Sequence, residues 1–282
     1  SVLKKKLKLH QLCMVNHMQK LENNNISSTD GVEITTRIGV CADATGSGKS
    51  ICILGLIADN PVYSPSSKII QTYGTFLSMK MRVSADSHLH SNLIVVPHSC
   101  MQQWKGYISD FTSLPCTIIG TVRDIDKFSP EAHKTQGGIV LCANTRYNEF
   151  TSTHNEQWSR VIFDEADSVH IKNAKEPQAN FVWFVTSSLH NLLFPSGSYF
   201  TYCKLANTER YIVTRKYIDG IRRLGYIRET FRDLETSSAN SIMKYIVLKN
   251  NSSFIQQSFS VEEPYIHVVK CRTPIFVNML LG

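Results

Sequence analysis

Ala42-Asp43-Ala44-Thr45-Gly46-Ser47-Gly48-Lys49-Ser50 lies between an apolar run, Ile38 to Cys41, and a second, helix-like one, Ile51 to Ala58. Strand, glycine-containing loop, Lys-Ser and helix is the order that a phosphate cradle requires. Within the stretch Thr45 to Ser50, Gly46 and Gly48 let the backbone approach a polyphosphate and turn its N–H groups inward. Lys49 supplies a positive charge for β/γ-phosphates, and the Ser50 hydroxyl suits Mg²⁺. A plain Gly-Ser surface turn would explain the loop but not its two flanks.

Working outward, further apolar runs repeat the pattern. The first strand is expected at about Arg37 to Cys41 and its helix at Lys49 to Ala58. Residues 59–91 read as an insertion with a weakly helical middle. Strands are then expected at Asn92 to Val96, Cys116 to Thr121, Gly138 to Cys142, Trp158 to Phe163 and Phe181 to Thr186. Strands alternating with helical segments imply an α/β chain with a doubly wound, mainly parallel sheet. In such sheets ligands gather at the carboxyl ends of strands, where the loop, Pro97, the acidic stretch 164–167 and Thr186 all fall.

Upstream, residues 3–22 open with Lys4, Lys5, Lys6 and Lys8 and continue as a rough helical stripe through Leu12, Val15, Met18 and Leu21. Downstream of Pro195, residues 204–235 read as helical and basic, with Lys204, Arg210, Arg215, Lys216, Arg222, Arg223, Arg228 and Arg232. They fit a solvated face and a nucleic-acid or partner surface equally well. Met243 to Leu248 and Ile266 to Cys271 read as two more strands, separated by Asn250-Asn251-Ser252.

The second chemical signature is Asp164-Glu165-Ala166-Asp167, directly after Val161-Ile162-Phe163. A buried strand that ends in a carboxylate suits Asp164 to holding Mg²⁺, directly or through water. Glu165 beside it is the natural general base for an attacking water. Phosphate loop and acidic stretch together point to nucleoside triphosphate hydrolysis.

Composition sets the bounds. The chain has 282 residues, 42% of them apolar, and a net charge of +7, a mild bias towards anionic partners. No stretch is long and apolar enough for a membrane span, and no secretory leader is expected. The chain opens on Ser1, as a processed product or an excised piece would. The eight cysteines are scattered, with no C-x-x-C pair, and read as reduced thiols in a nuclear or cytoplasmic setting. The ten histidines show no metal-ligand spacing.

The two signatures together resemble the superfamily 2 helicases and translocases. Ala42-Asp43 ahead of the glycines is similar to the opening of motif I in the Swi/Snf-type branch, which includes relatives in large DNA viruses. Three weaker stretches fit the same branch. Leu9-His10-Gln11 looks like its upstream helix, in which Gln11 would contact adenine. Asn92 to Pro97 with Gln103-Trp104 looks like motif Ia. Phe181 to Ser188 stands where motif III couples ATP state to nucleic-acid grip, which implies coupling roles for Asp167, Thr186 and Ser188. Ser187, Ser188 and Leu189 depart from the Thr-Gly-Thr-Pro usual there.

The resemblance implies a RecA-like lobe over residues 1–194, with the insertion around 59–91. Residues 195–282 would hold the basic helical segment and the start of a connection to a second lobe. It also implies ATP and Mg²⁺ as cofactors, a second RecA-like lobe and nucleic acid (DNA ahead of RNA) as partners, and no membrane. A viral factory or virion joins the nucleus and cytoplasm as a compartment. As an isolated fragment the lobe would hydrolyse ATP weakly. A nucleotide-binding interaction module without turnover is the competing reading. A P-loop kinase or motor of another branch fits less well, because Asp43 stands where those carry Gly.

Overall fold

Strands buried on both faces are written as unbroken apolar runs, and Ile139–Ala143 and Ala179–Val185 are buried at every position. These runs assemble one seven-stranded sheet in a computed structural model. It describes residues 2–23, 36–63, 68–73, 78–83, 88–169, 171–193, 196–204, 211–219 and 245–258.

The sheet strands are β1 (Ile38–Cys41), β4 (His88–Val96), β5 (Cys116–Ile119), β6 (Ile139–Ala143), β7 (Gln157–Phe163), β8 (Ala179–Val185) and β11 (Val247–Leu248). Their order is β11-β1-β8-β7-β4-β6-β5, and every pairing is parallel. The chain leaves β1, passes through α2 (Lys49–Asp59) and resumes the sheet at β4, leaving room for β7 and β8 between them. That reversal of strand order makes the crevice at the carboxyl ends of β1, β8 and β7.

Side chains alternate across the sheet with period two. Cys41, Ile94, Val96, Leu141, Ile162, Trp183 and Val185 face α1 (Leu9–Glu22), α2 and α3 (Met101–Phe111). Val40, Val95, Val140, Val161, Phe163 and Phe184 face the layer that contains α4 (Val122–Lys127) and α6 (Tyr147–Thr153). In sequence α5 (Pro130–Thr135) lies between these two helices, and it packs against β4. The α1 stripe buries Met14, Val15, Met18 and Leu21, whereas Leu12 is left exposed. No helix among the described residues is long and apolar enough to cross a membrane.

Three expectations need correction. Residues 59–91 hold no helical middle among the described residues: β2 (Lys68–Tyr73) and β3 (Ser78–Val83) form an antiparallel pair, and β4 starts at His88. The basic stretch is strand, not helix, over β10 (Tyr211–Asp219), which pairs antiparallel with β9 (Ser196–Lys204). Tyr211-Ile212-Val213-Thr214 is aromatic and β-branched, and that outweighs the helix preference of the neighbouring Arg and Lys. Met243 to Leu248 shortens to β11, which is followed by a helix over Ser252–Ser258. Residues 220–244 and the expected strand Ile266 to Cys271 lie outside the described residues.

Candidate nucleotide site

The loop after β1 is built from backbone outward. Gly46 and Gly48 adopt φ of 80° and 86°, the left-handed region that costs a side chain dearly. Gly48 is the N-cap of α2, and its carbonyl takes the first helical bonds from Ile51 and Cys52 at 2.9 and 3.1 Å. The unpaired N–H groups of that helix end and its dipole favour an anion there. Lys49 folds back over the loop and donates to the carbonyl oxygens of Asp43 and Ala44 at 2.9 and 3.1 Å. Thr45 and Gly46 are exposed, Gly48, Lys49 and Ser50 half-buried. The Ser47 hydroxyl is buried and has no hydrogen-bond partner among the described residues.

One end of α1 rests on this loop. Gln11 Nε2 donates to the Ser47 carbonyl at 3.2 Å while its Oε1 caps the Lys8 N–H at 2.9 Å. His10, fully buried, places its ring Nε2 2.8 Å from the same carbonyl. A Cβ at position 48 would meet Gln11 Nε2 at 2.5 Å, so a side chain there would push the Gln11 amide off the loop.

The acidic stretch follows β7. Asp164, 5% exposed, accepts from the indole Nε1 of Trp104 at 2.7 Å. Burial pushes its carboxyl up to about 6; the Trp104 bond opposes the shift and the neighbouring Glu165 charge adds to it. Glu165 is half-buried and takes φ 51°, an uncommon conformation for a residue with a side chain. Its carbonyl closes a turn by accepting from Ser168 and Val169, each at 2.8 Å.

Short backbone bonds hold the two halves together. Thr186 N–H donates to the Cys41 carbonyl at 3.0 Å, and Ala166 N–H to the Val185 carbonyl at 2.9 Å. The Thr186 hydroxyl donates to Asp167 at 2.5 Å and receives the Ser188 N–H at 2.9 Å. Phosphate loop, Thr186 and acidic stretch thus terminate three consecutive strands, β1, β8 and β7.

All the sequence-derived site residues fall at this end of the sheet. The sequence reading did not single out His10 or Asn250. Asn250 is separated from Asp43 by 207 positions, yet it bonds both of its carboxylate oxygens. A carboxylate at the root of an anion cradle was the only hint that such a partner was needed. Trp104 enters the sequence reading only beside Gln103 in the motif Ia-like stretch, with no sign that it donates to Asp164.

Among the described residues no group of three or more His, Cys, Asp or Glu could hold a metal ion. Ser50 and Asp164 are the residues that could hold Mg²⁺ if nucleotide phosphates supplied the remaining oxygens, as that ion prefers. The Cys41 and Cys52 thiols beside the loop are pushed up by burial, Cys52 to about 12, and so are poor nucleophiles. A separate cavity of about 700 Å³ lies between residues 2–7, α1 and α2, lined by Leu3, Leu7, Leu12, Val15 and Gly55.

Comparison with known proteins supplies relatives. A candidate helicase of Acanthamoeba polyphaga mimivirus is 22% identical over 94% of this chain, and the chain spans 38% of that protein's length. The Sulfolobus solfataricus SWI2/SNF2 ATPase core in complex with dsDNA is 13% identical, with a TM-score of 0.49 over 88% of this chain and 45% of that one. The Pyrococcus furiosus Hef helicase domain is 14% identical, with a TM-score of 0.39 over 67% of this chain and 35% of that one. The SNF2-related domain matches residues 10–187, from His10 through the phosphate loop and the acidic stretch to the end of β8, and the chain belongs to that family.

Proposed function

We propose that this chain is the ATP-binding lobe of a nucleic-acid-dependent ATPase of the helicase or translocase type. The observation that carries the reading is the arrangement of three adjacent strand ends. A left-handed glycine loop with Lys49 stands at β1, the Asp164-Glu165 pair at β7, and Thr186 between them. Lys49 leaves the Asp43 and Ala44 carbonyls to meet β/γ-phosphates, and the N-terminus of α2 adds its N–H groups. Ser50 and ionised Asp164 would hold Mg²⁺, which when bound neutralises charge on the transferring phosphoryl. Glu165 takes the proton of the attacking water as its oxygen bonds to the γ-phosphorus. The bridge to the β-phosphate breaks, leaving ADP and phosphate. Gln11, already against the loop, reads the adenine.

Asp167 and Thr186 pass the state of this site to the nucleic-acid grip, with Ser188 N–H fixing the Thr186 hydroxyl. DNA is the preferred nucleic acid, contacted through its backbone, with binding that weakens steeply as salt rises. A second RecA-like lobe supplies the arginine that completes the transition state. The reduced thiols suit an intracellular setting.

The test is ATP turnover by the intact protein with and without duplex DNA, beside a Glu165→Gln variant. Stimulated turnover that the variant loses while still binding ATP supports the reading. ATP binding without any turnover, with or without DNA, replaces it with a nucleotide-binding interaction module.

A further inference from the structure

The phosphate loop contains an apparent contradiction. A cradle for anions begins with Asp43, a fully buried carboxylate, six positions before the lysine that must stay free for phosphate. A carboxylate and an ammonium in one short loop attract strongly in a partly desolvated setting. Yet Lys49 Nζ bonds the carbonyl oxygen of Asp43, at 2.9 Å, and not its carboxylate.

The carboxylate is held elsewhere. Asn250 donates its backbone N–H to Asp43 Oδ1 at 2.6 Å and its side-chain Nδ2 to Oδ2 at 2.8 Å. The same Nδ2 reaches the His10 carbonyl at 3.1 Å, and the His10 ring meets the Ser47 carbonyl at 2.8 Å. Loop, α1 and the segment after β11 are therefore closed into one ring of bonds. β11 sets the position of Asn250: it runs parallel to β1, and the Ala42 N–H donates to the Leu248 carbonyl at 2.9 Å.

We propose that Asn250 is a positioning residue for the nucleotide site, which holds the Asp43 carboxylate away from Lys49 so that the lysine stays available to phosphate. Displacement of the β11 segment would release Asp43, let it capture Lys49 and switch the cradle off. This inference rests on the ATP reading above.

The test measures ATP affinity by calorimetry, with thermal unfolding alongside, in the intact protein. Asn250→Ala removes the Nδ2 donor, and isosteric Asn250→Asp also sets a like charge against Asp43. Each is expected to weaken ATP binding about tenfold, the equivalent of one hydrogen bond to a charged group. Adding Asp43→Asn to either variant removes the competing charge, and ATP affinity should recover to within about threefold of wild type. A residue that merely braced the fold would show no such recovery. Unchanged affinity in both Asn250 variants overturns the proposal, as does a loss that Asp43→Asn leaves in place. Failure of wild type to bind ATP overturns the nucleotide reading itself and this inference with it. The other two results require a wild type that binds.

Discussion

The indole nitrogen of Trp104, in α3, donates to the Asp164 carboxylate at the end of β7 over 2.7 Å. It is the bond that keeps a buried carboxyl, already raised to about 6, from rising further. On the proposed ATPase reading Asp164 must be ionised to hold Mg²⁺, so turnover should fall as pH drops through about 6. Trp104→Phe removes the donor and leaves the ring, so the acid limb should move to higher pH. A pH–rate profile for both proteins checks this, and coincident acid limbs would refute it.

The same carboxylate should cost the fold stability. The folded chain holds the Asp164 proton more tightly than the unfolded chain, whose value is near 3.8. The stabilisation from this tighter proton binding is therefore present in full below about 3.8 and is lost as pH rises through about 6, where the buried charge becomes the cost. Asp164→Asn should stabilise the protein at pH 7–8 by on the order of 2–3 kcal/mol while abolishing turnover. Denaturant unfolding should show the gain shrinking to nothing near pH 4.

Much of the architecture could be read in the residues because parallel strands buried on both faces leave a strong mark. Ile139–Ala143 and Ala179–Val185 are apolar or small almost throughout, and each matches an expected run to within two residues. The β9–β10 pair escaped because the spacing of its cations in the sequence imitates a helical face, whereas its strand character lies in a backbone register with a distant segment, Arg215 opposite Phe200. The site was legible where chemistry is local, as at Lys49-Ser50 and Asp164-Glu165. It was not legible where partners are distant: nothing near Asn250 marks it as the ligand of Asp43.

The two loop glycines should respond differently to alanine. Both have positive φ, so each substitution bears backbone strain of about 1–2 kcal/mol. A Cβ on Gly46 meets nothing within 4 Å, whereas one on Gly48 runs into Gln11 Nε2 at 2.5 Å. Gly48→Ala should therefore lower ATP affinity well beyond Gly46→Ala, because it also displaces Gln11. Parallel titrations with ATP decide it, and equal losses would mean that the Gln11 contact is irrelevant.

At the other end of α1 a buried ion pair fixes the helix that brings His10 and Gln11 to the loop. The Glu22 carboxylate receives Nε and Nη2 of Arg160 at 2.6 and 2.7 Å, and both side chains are almost wholly inaccessible. Arg160 Nη1 adds the Asn60 carbonyl at 2.8 Å, and the Trp183 indole donates to Glu22 at 2.9 Å. A buried pair of this kind stabilises little against an apolar equivalent, but breaking it strands a charge. Glu22→Ala should therefore cost about 3–5 kcal/mol in denaturant unfolding. Glu22→Leu combined with Arg160→Met should cost less than Glu22→Ala alone, because no charge remains to be solvated. If the double variant is instead the less stable of the two, the pair is a net source of stability. At temperatures where Glu22→Ala is still folded, its ATP affinity should also fall, since a loosened α1 no longer presses Gln11 against Ser47.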